Sequence, residues 1–121
     1  MAKSKENNAV ETANKQTYLG QASDEQIQAW KAQFGIITLI KIKNRDKSVS
    51  VAYLKSPDRQ TASLAYTHLA NKRMLDAGAV FLNNCWLGGD ERMKTDDDMY
   101  IAATQYAFES LDLLEGSAEK L

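Results

Sequence analysis

The sequence predicts an α+β domain: one N-terminal helix, a two-stranded antiparallel hairpin, then three helices. Three observations predict it. Two runs rich in branched residues, 36–43 and 48–55, are joined by only four residues, Asn44-Arg45-Asp46-Lys47, too few for a parallel crossover. Apolar residues recur at helical spacing before and after that pair. Capping residues and glycines stand where those helices should start and stop. The length of 121 residues suits one domain with one modest core.

The first helix is predicted over about 24–34. Ser23 with Gln26 forms a capping-box pattern, Asp24 and Glu25 favour the positive end of the helix, and Ile27, Trp30 and Phe34 make one apolar face. Gly35 is a suitable stop. In the hairpin, Val49, Val51 and Tyr53 share one side of the second strand, and Lys41 and Lys43 share one face of the first. A lone hairpin is marginal in water, so helices or another chain must cover it. Ser56 as cap and Pro57 at the first helical position open the next helix, with Ala62, Ala65, Tyr66 and Leu69 on one face to about residue 70. A helix over 74–87 aligns Leu75, Ala79, Leu82 and Trp86 and ends at Gly88-Gly89; the alternative for that pair is a sharp turn presenting Asp90 and Glu91. Thr95 caps a last helix over about 96–115, with Met99, Ala103, Tyr106, Ser110 and Leu113 aligned. The helix over 74–87 is apolar nearly all round, so it is either central or packed on two sides, and a homo-oligomer is expected.

The domain organisation follows. Residues 1–22 read as a flexible N-terminal arm: a polar segment whose plausible anchors are Val10, Tyr18 and Leu19, either a disordered tail or an arm that folds onto a partner. Residues 23–116 read as a single α+β domain and 117–121 as a C-terminal tail. The start of the chain lacks the apolar stretch of a secretory signal, there is no run of 18 apolar residues, and one cysteine makes no internal disulfide, so a reducing, cytoplasmic setting without membrane insertion is expected.

Chemistry-bearing motifs are sparse. Fifteen basic and 16 acidic residues give a formal charge of −1, which argues against a strongly basic nucleic-acid coat. His68 and Cys85 are the sole residues of their types, and nothing in their spacing builds a thiol nucleophile with its base. Cys85 on an apolar helix reads as a small hydrophobe. Asp96-Asp97-Asp98 reads as a helix start, since consecutive helical residues diverge by about 100° and do not converge on one ion. No metal, cofactor or catalytic group is expected. Lys41, Lys43, Arg45 and Lys47 make a basic hairpin end without interleaved aromatics, which reads first as solvated or edge-protecting charge, next as a partner-binding edge, and least as a nucleic-acid surface. Candidate partner-binding residues are Trp86, Leu87, Phe81 and Tyr53, with Lys41 and Lys43 at the basic edge.

The block Asn83-Asn84-Cys85-Trp86-Leu87-Gly88-Gly89-Asp90-Glu91, following Trp30-Lys31-Ala32-Gln33-Phe34-Gly35 and Ala52-Tyr53-Leu54-Lys55-Ser56-Pro57-Asp58-Arg59, resembles a family of small phage and prophage proteins that look like tail assembly chaperones of long-tailed phages. The resemblance covers about residues 24–115, with Trp86 to Asp90 its most specific part. It implies a non-enzymatic role in the host cytoplasm: binding the tape-measure protein and keeping it soluble while the tail assembles. Trp86 and Leu87 would then either seat the glycine pair in the core or edge the binding groove. The competing expectations are a virion structural or connector subunit, which the arm suits, and a small nucleic-acid-binding regulator.

Overall fold

The structure, a computed structural model, describes residues 17–111 and 116–121. Helix α1 spans Asp24–Phe34, strands β1 and β2 span Ile37–Lys43 and Val49–Lys55, and helices α2 and α3 span Arg59–Ala70 and Met74–Cys85. Strand β3 then spans Trp86–Gly89, a one-turn helix α4 spans Arg92–Thr95, and α5 spans Asp97–Glu109. The fold is mixed α+β, with a three-stranded antiparallel sheet in the order β1-β2-β3.

Helix α1 covers the expected span, and the two paired strands each start one residue later than expected, at Ile37 and Val49, on either side of the polar turn. Ser23 caps α1 by accepting from the Gln26 amide at 3.1 Å, and Gly35 closes it at φ +83°. Pairing runs from Ile37 opposite Lys55 to Lys43 opposite Val49. The later caps shift by one or two residues. Asp58, not Ser56, caps α2 by accepting from Thr61 N at 2.8 Å, and Asp96, not Thr95, caps α5 by accepting from Met99 N at 3.0 Å. Aspartate and serine are near-equal caps, so local geometry selects between neighbours.

Three expectations need correction. The sheet has three strands, not two. Residues 86–89, expected as the end of a helix and its stop, leave the helix at Cys85 and pair with β2: Trp86 opposite Leu54, Gly88 opposite Tyr53 and Gly89 opposite Ala52, with Leu87 as the extra residue of a bulge. A helix gains little by running into two glycines, whereas the free edge of β2 needs hydrogen-bonding partners. Next, α4 occupies part of the expected loop over 90–95. Finally, α5 stops at Glu109, where the Ser110 hydroxyl donates to the Ala107 carbonyl at 2.8 Å and competes with the helical pattern. The remainder of the expected helix, over 112–115, lies outside the described residues.

The core forms on one sheet face. Ile40, Ile42, Ala52 and Leu54 meet Phe81, Leu82 and Cys85 of α3, Met93 of α4, and Met99, Ala103 and Ala107 of α5. Helix α3 lies between α2 and α5, so neighbours within the chain cover two of its sides. On the opposite sheet face Trp30 of α1 packs on Tyr53 with ring centroids 5.3 Å apart, and the Ala22 amide donates to the Tyr53 hydroxyl at 3.2 Å. Strand β2 is therefore central, buried across residues 50–54 on both faces.

Of the anchors expected in the N-terminal segment, Leu19 forms a parallel bridge beside Ser50. It accepts from Val51 N at 2.9 Å and donates to the Val49 carbonyl at 2.8 Å. Tyr18 lies under the Lys41 ammonium, and Val10 falls outside the described residues.

Candidate interaction surface

The six partner-binding candidates do not form one site. Phe81 is 2% exposed and Tyr53 5% exposed; both spend their apolar surface on the fold. Trp86 is half-buried at the start of β3, packed against the core, with the Lys94 ammonium 4.4 Å from its ring centroid. Leu87 is half-buried in the bulge. Lys41 and Lys43 are exposed on the sheet face opposite the main core. Gly88, which faces Trp30, and Gly89, which passes over Ala52, make the Trp86–Gly89 block a close-packed strand.

Two features bring polar or apolar groups together. The first is a hydrogen-bonded network at the turn end of the hairpin. The fully buried Ser50 hydroxyl donates to Asp90 Oδ2 at 2.7 Å and accepts from Asn44 Nδ2 at 2.9 Å. Arg92 Nη2 reaches the same Asp90 oxygen at 2.8 Å. Arg92, then the Ser50 hydroxyl, hold the Asp90 carboxyl down at about 2 against the opposing effect of burial. A mixed-charge cleft of about 510 Å³ lies alongside, bounded by Arg45, Asp46, Arg92 and Asp98. Within it Arg45 pairs with Asp98 at 2.8 Å, and Asp46 Oδ1 accepts from the Ser48 hydroxyl at 2.6 Å and from the Ser48 amide at 3.0 Å, which fixes the turn.

The second feature is an apolar groove of about 480 Å³ between the start of α3 and the second half of α5. Gly78 of α3 lies so close to Thr104 of α5 that a methyl group there would collide with the Thr104 carbonyl. Small residues, Ala77, Ala103 and Ala107, line the buried faces of the same two helices. Bulky residues stand outside this seam: Met74, Leu75 and Ile101 are 58, 47 and 49% exposed, and Phe108 lines the groove with them. Ile101, Gln105 and Phe108 follow i, i+4, i+7 spacing along one stripe of α5. Sequence reasoning placed Leu75 in a core-facing row and did not single out Met74, Ile101 or Phe108 for binding. The available signal was Ile101 and Phe108, two bulky apolar residues seven positions apart on the side of α5 away from its Met99–Ala103 face.

Among the described residues no side-chain hydrogen bond joins His68 to Cys85. His68 is half-buried in the last turn of α2, and Cys85 is buried at the end of α3, where loss of solvation pushes its thiol up to about 11. Asp96 and Asp98 are engaged by the α5 cap and by Arg45. Among the described residues, no group of three or more His, Cys, Asp or Glu is placed to hold a metal ion, and no helix is long and apolar enough to cross a membrane. Set against protein-family models, curated proteins and solved structures, the chain finds no match.

Proposed function

We propose that this chain is a non-enzymatic binding protein of the tail-assembly-chaperone type, acting in the host cytoplasm and holding an amphipathic helix of a tape-measure protein in the groove between α3 and α5. The observation that carries the reading is the exposed apolar row Met74, Leu75 and Ile101, with half-buried Phe108 beside it, on two helices whose small-residue seam fixes their spacing. Such a groove suits the apolar face of a helix, which docks through residues one turn apart. Methionine adapts to varied partners, a useful property where one protein must cover successive segments of a long chain. The sequence resemblance over 24–115 supplies the partner's identity; the groove supplies the contact.

Co-expression with a tape-measure fragment followed by size exclusion tests this. The wild type should co-elute with the fragment, and Leu75→Asp with Ile101→Asp should release it while remaining folded. Elution without the fragment in both cases would refute the proposal. Stoichiometric recovery of the chain in purified particles would favour a virion subunit instead. A second copy closing on the same groove would yield the homo-oligomer, and the same double substitution would then give a monomer.

A further inference from the structure

We infer that the outer edge of β1, which no strand covers among the described residues, is a strand-addition site for an extended acidic segment of another protein, separate from the helix groove. The backbone geometry comes first. Val51 donates its N–H to Leu19 and accepts through its carbonyl from the Asp90 amide, so both of its polar groups point away from β1. Lys41, opposite Val51, therefore belongs to a non-hydrogen-bonded pair, and its own N–H and carbonyl face the outer edge. By the two-residue period of a strand, Leu39 and Lys43 do the same. Among the described residues no backbone group other than those of β2 bonds to this strand.

The side chains of these residues stand on the sheet face that α1 leaves open. Trp30 of α1 lies over Tyr53 and Gly88, that is, over β2 and β3. Leu39 remains 47% exposed and Ile36, just before the strand, 75% exposed. Lys41 and Lys43 are exposed beside Leu39, and among the described residues neither meets a carboxylate; the Lys41 ammonium stands 5.4 Å above the Tyr18 ring centroid. An edge that needed protection alone would carry the lysines without the exposed Leu39 and Ile36. Together they specify an occupant. A strand added antiparallel pairs with β1 at Leu39, Lys41 and Lys43, and its side chains on the same face then sit directly opposite these three. Carboxylates opposite the two lysines and an apolar residue opposite Leu39 satisfy all three positions. The same lysines disfavour basic strands, so specificity comes from repulsion as well as attraction.

The test uses the full-length chain and a capped, fluorescent peptide of sequence Thr-Glu-Thr-Glu-Thr-Val-Thr, followed by anisotropy. The peptide should bind, and Lys41→Glu with Lys43→Glu should weaken binding by about tenfold or more, because two cross-strand attractions become repulsions. The same variant should gain affinity for the peptide with lysine in place of glutamate, which shows that it is folded. N-methylation of the two glutamates should abolish binding, and N-methylation of the intervening threonines should not. Absence of peptide binding, equal effects of the two methylation patterns, indifference to charge reversal, or pairing of two copies through β1 in place of peptide binding would each overturn the inference. The Leu75→Asp, Ile101→Asp variant should still bind this peptide, so the outcome at β1 is independent of the outcome at the groove.

Discussion

The Ser50 hydroxyl, with no solvent exposure, donates to Asp90 Oδ2 at 2.7 Å across the gap between the central strand and the turn that follows β3. This bond, with Arg92 at 2.8 Å on the same oxygen, ties the end of the sheet to the start of α4. Arg92 and Ser50 favour the charged carboxylate, so its acidity in the folded chain, about 2, lies below the ordinary aspartate value near 4. The linkage sign follows: the contribution is complete above about pH 4 and disappears as pH falls through 2. With allowance for screening by solvent it amounts to about 1 kcal/mol. Urea denaturation between pH 7 and pH 2 should show a smaller acid loss for Asp90→Asn than for the wild type.

Gly89 lies at φ +147°, and a side chain there would start 2.5 Å from the Ala52 Cα and 2.6 Å from the Val51 carbonyl oxygen. Gly89→Ala therefore meets both backbone strain and a clash with the central strand. A loss of about 2–4 kcal/mol is expected by chemical denaturation. If stability changes by less than about 0.5 kcal/mol, β3 does not approach β2 as described.

The Cys85 thiol, pushed up to about 11 by burial, should resist iodoacetamide in the native chain and react readily once unfolded. The folded state favours the protonated thiol. Its contribution is whole below the ordinary thiol value of about 8.5 and falls as pH rises toward 11. Mass spectrometry of alkylated protein with and without urea checks the protection, which rapid native labelling would contradict, and urea denaturation at rising alkaline pH checks the loss of stability.

Groove and core residues should separate cleanly. Leu75 and Ile101 are about half exposed, so aspartate at either should cost about 1 kcal/mol of unfolding free energy while weakening helix binding. Phe81, at 2% exposure, should cost about 3–5 kcal/mol as Phe81→Ala. Equal destabilisation by both classes would mean that Leu75 and Ile101 are packed in solution.

The legible parts of the fold were those encoded by near neighbours. Ser23, Gln26 and Gly35 define α1 within a dozen residues, and the four-residue link fixes the hairpin. Residues 86–89 were not legible because their strand state comes from a partner more than 30 positions earlier, and because two glycines after an apolar helix also fit a helix stop. The apolar row on α3 and α5 was hidden for a similar reason. The seam that turns Leu75 outward is set by Gly78 meeting Thr104, a contact between distant segments. Lys41 and Lys43, by contrast, could be placed on one face from the alternation of β1 alone.

Cys85 ends α3 and Trp86 begins β3 with nothing between them; Trp86 is at once the helix cap and the first strand residue. The junction holds no slack. A rotation of α3 about its axis must drag the third strand along its neighbour or break its ladder, so the wall of the groove that carries Met74 and Leu75 is splinted by the sheet at its far end. The position of that wall is therefore set within the chain itself.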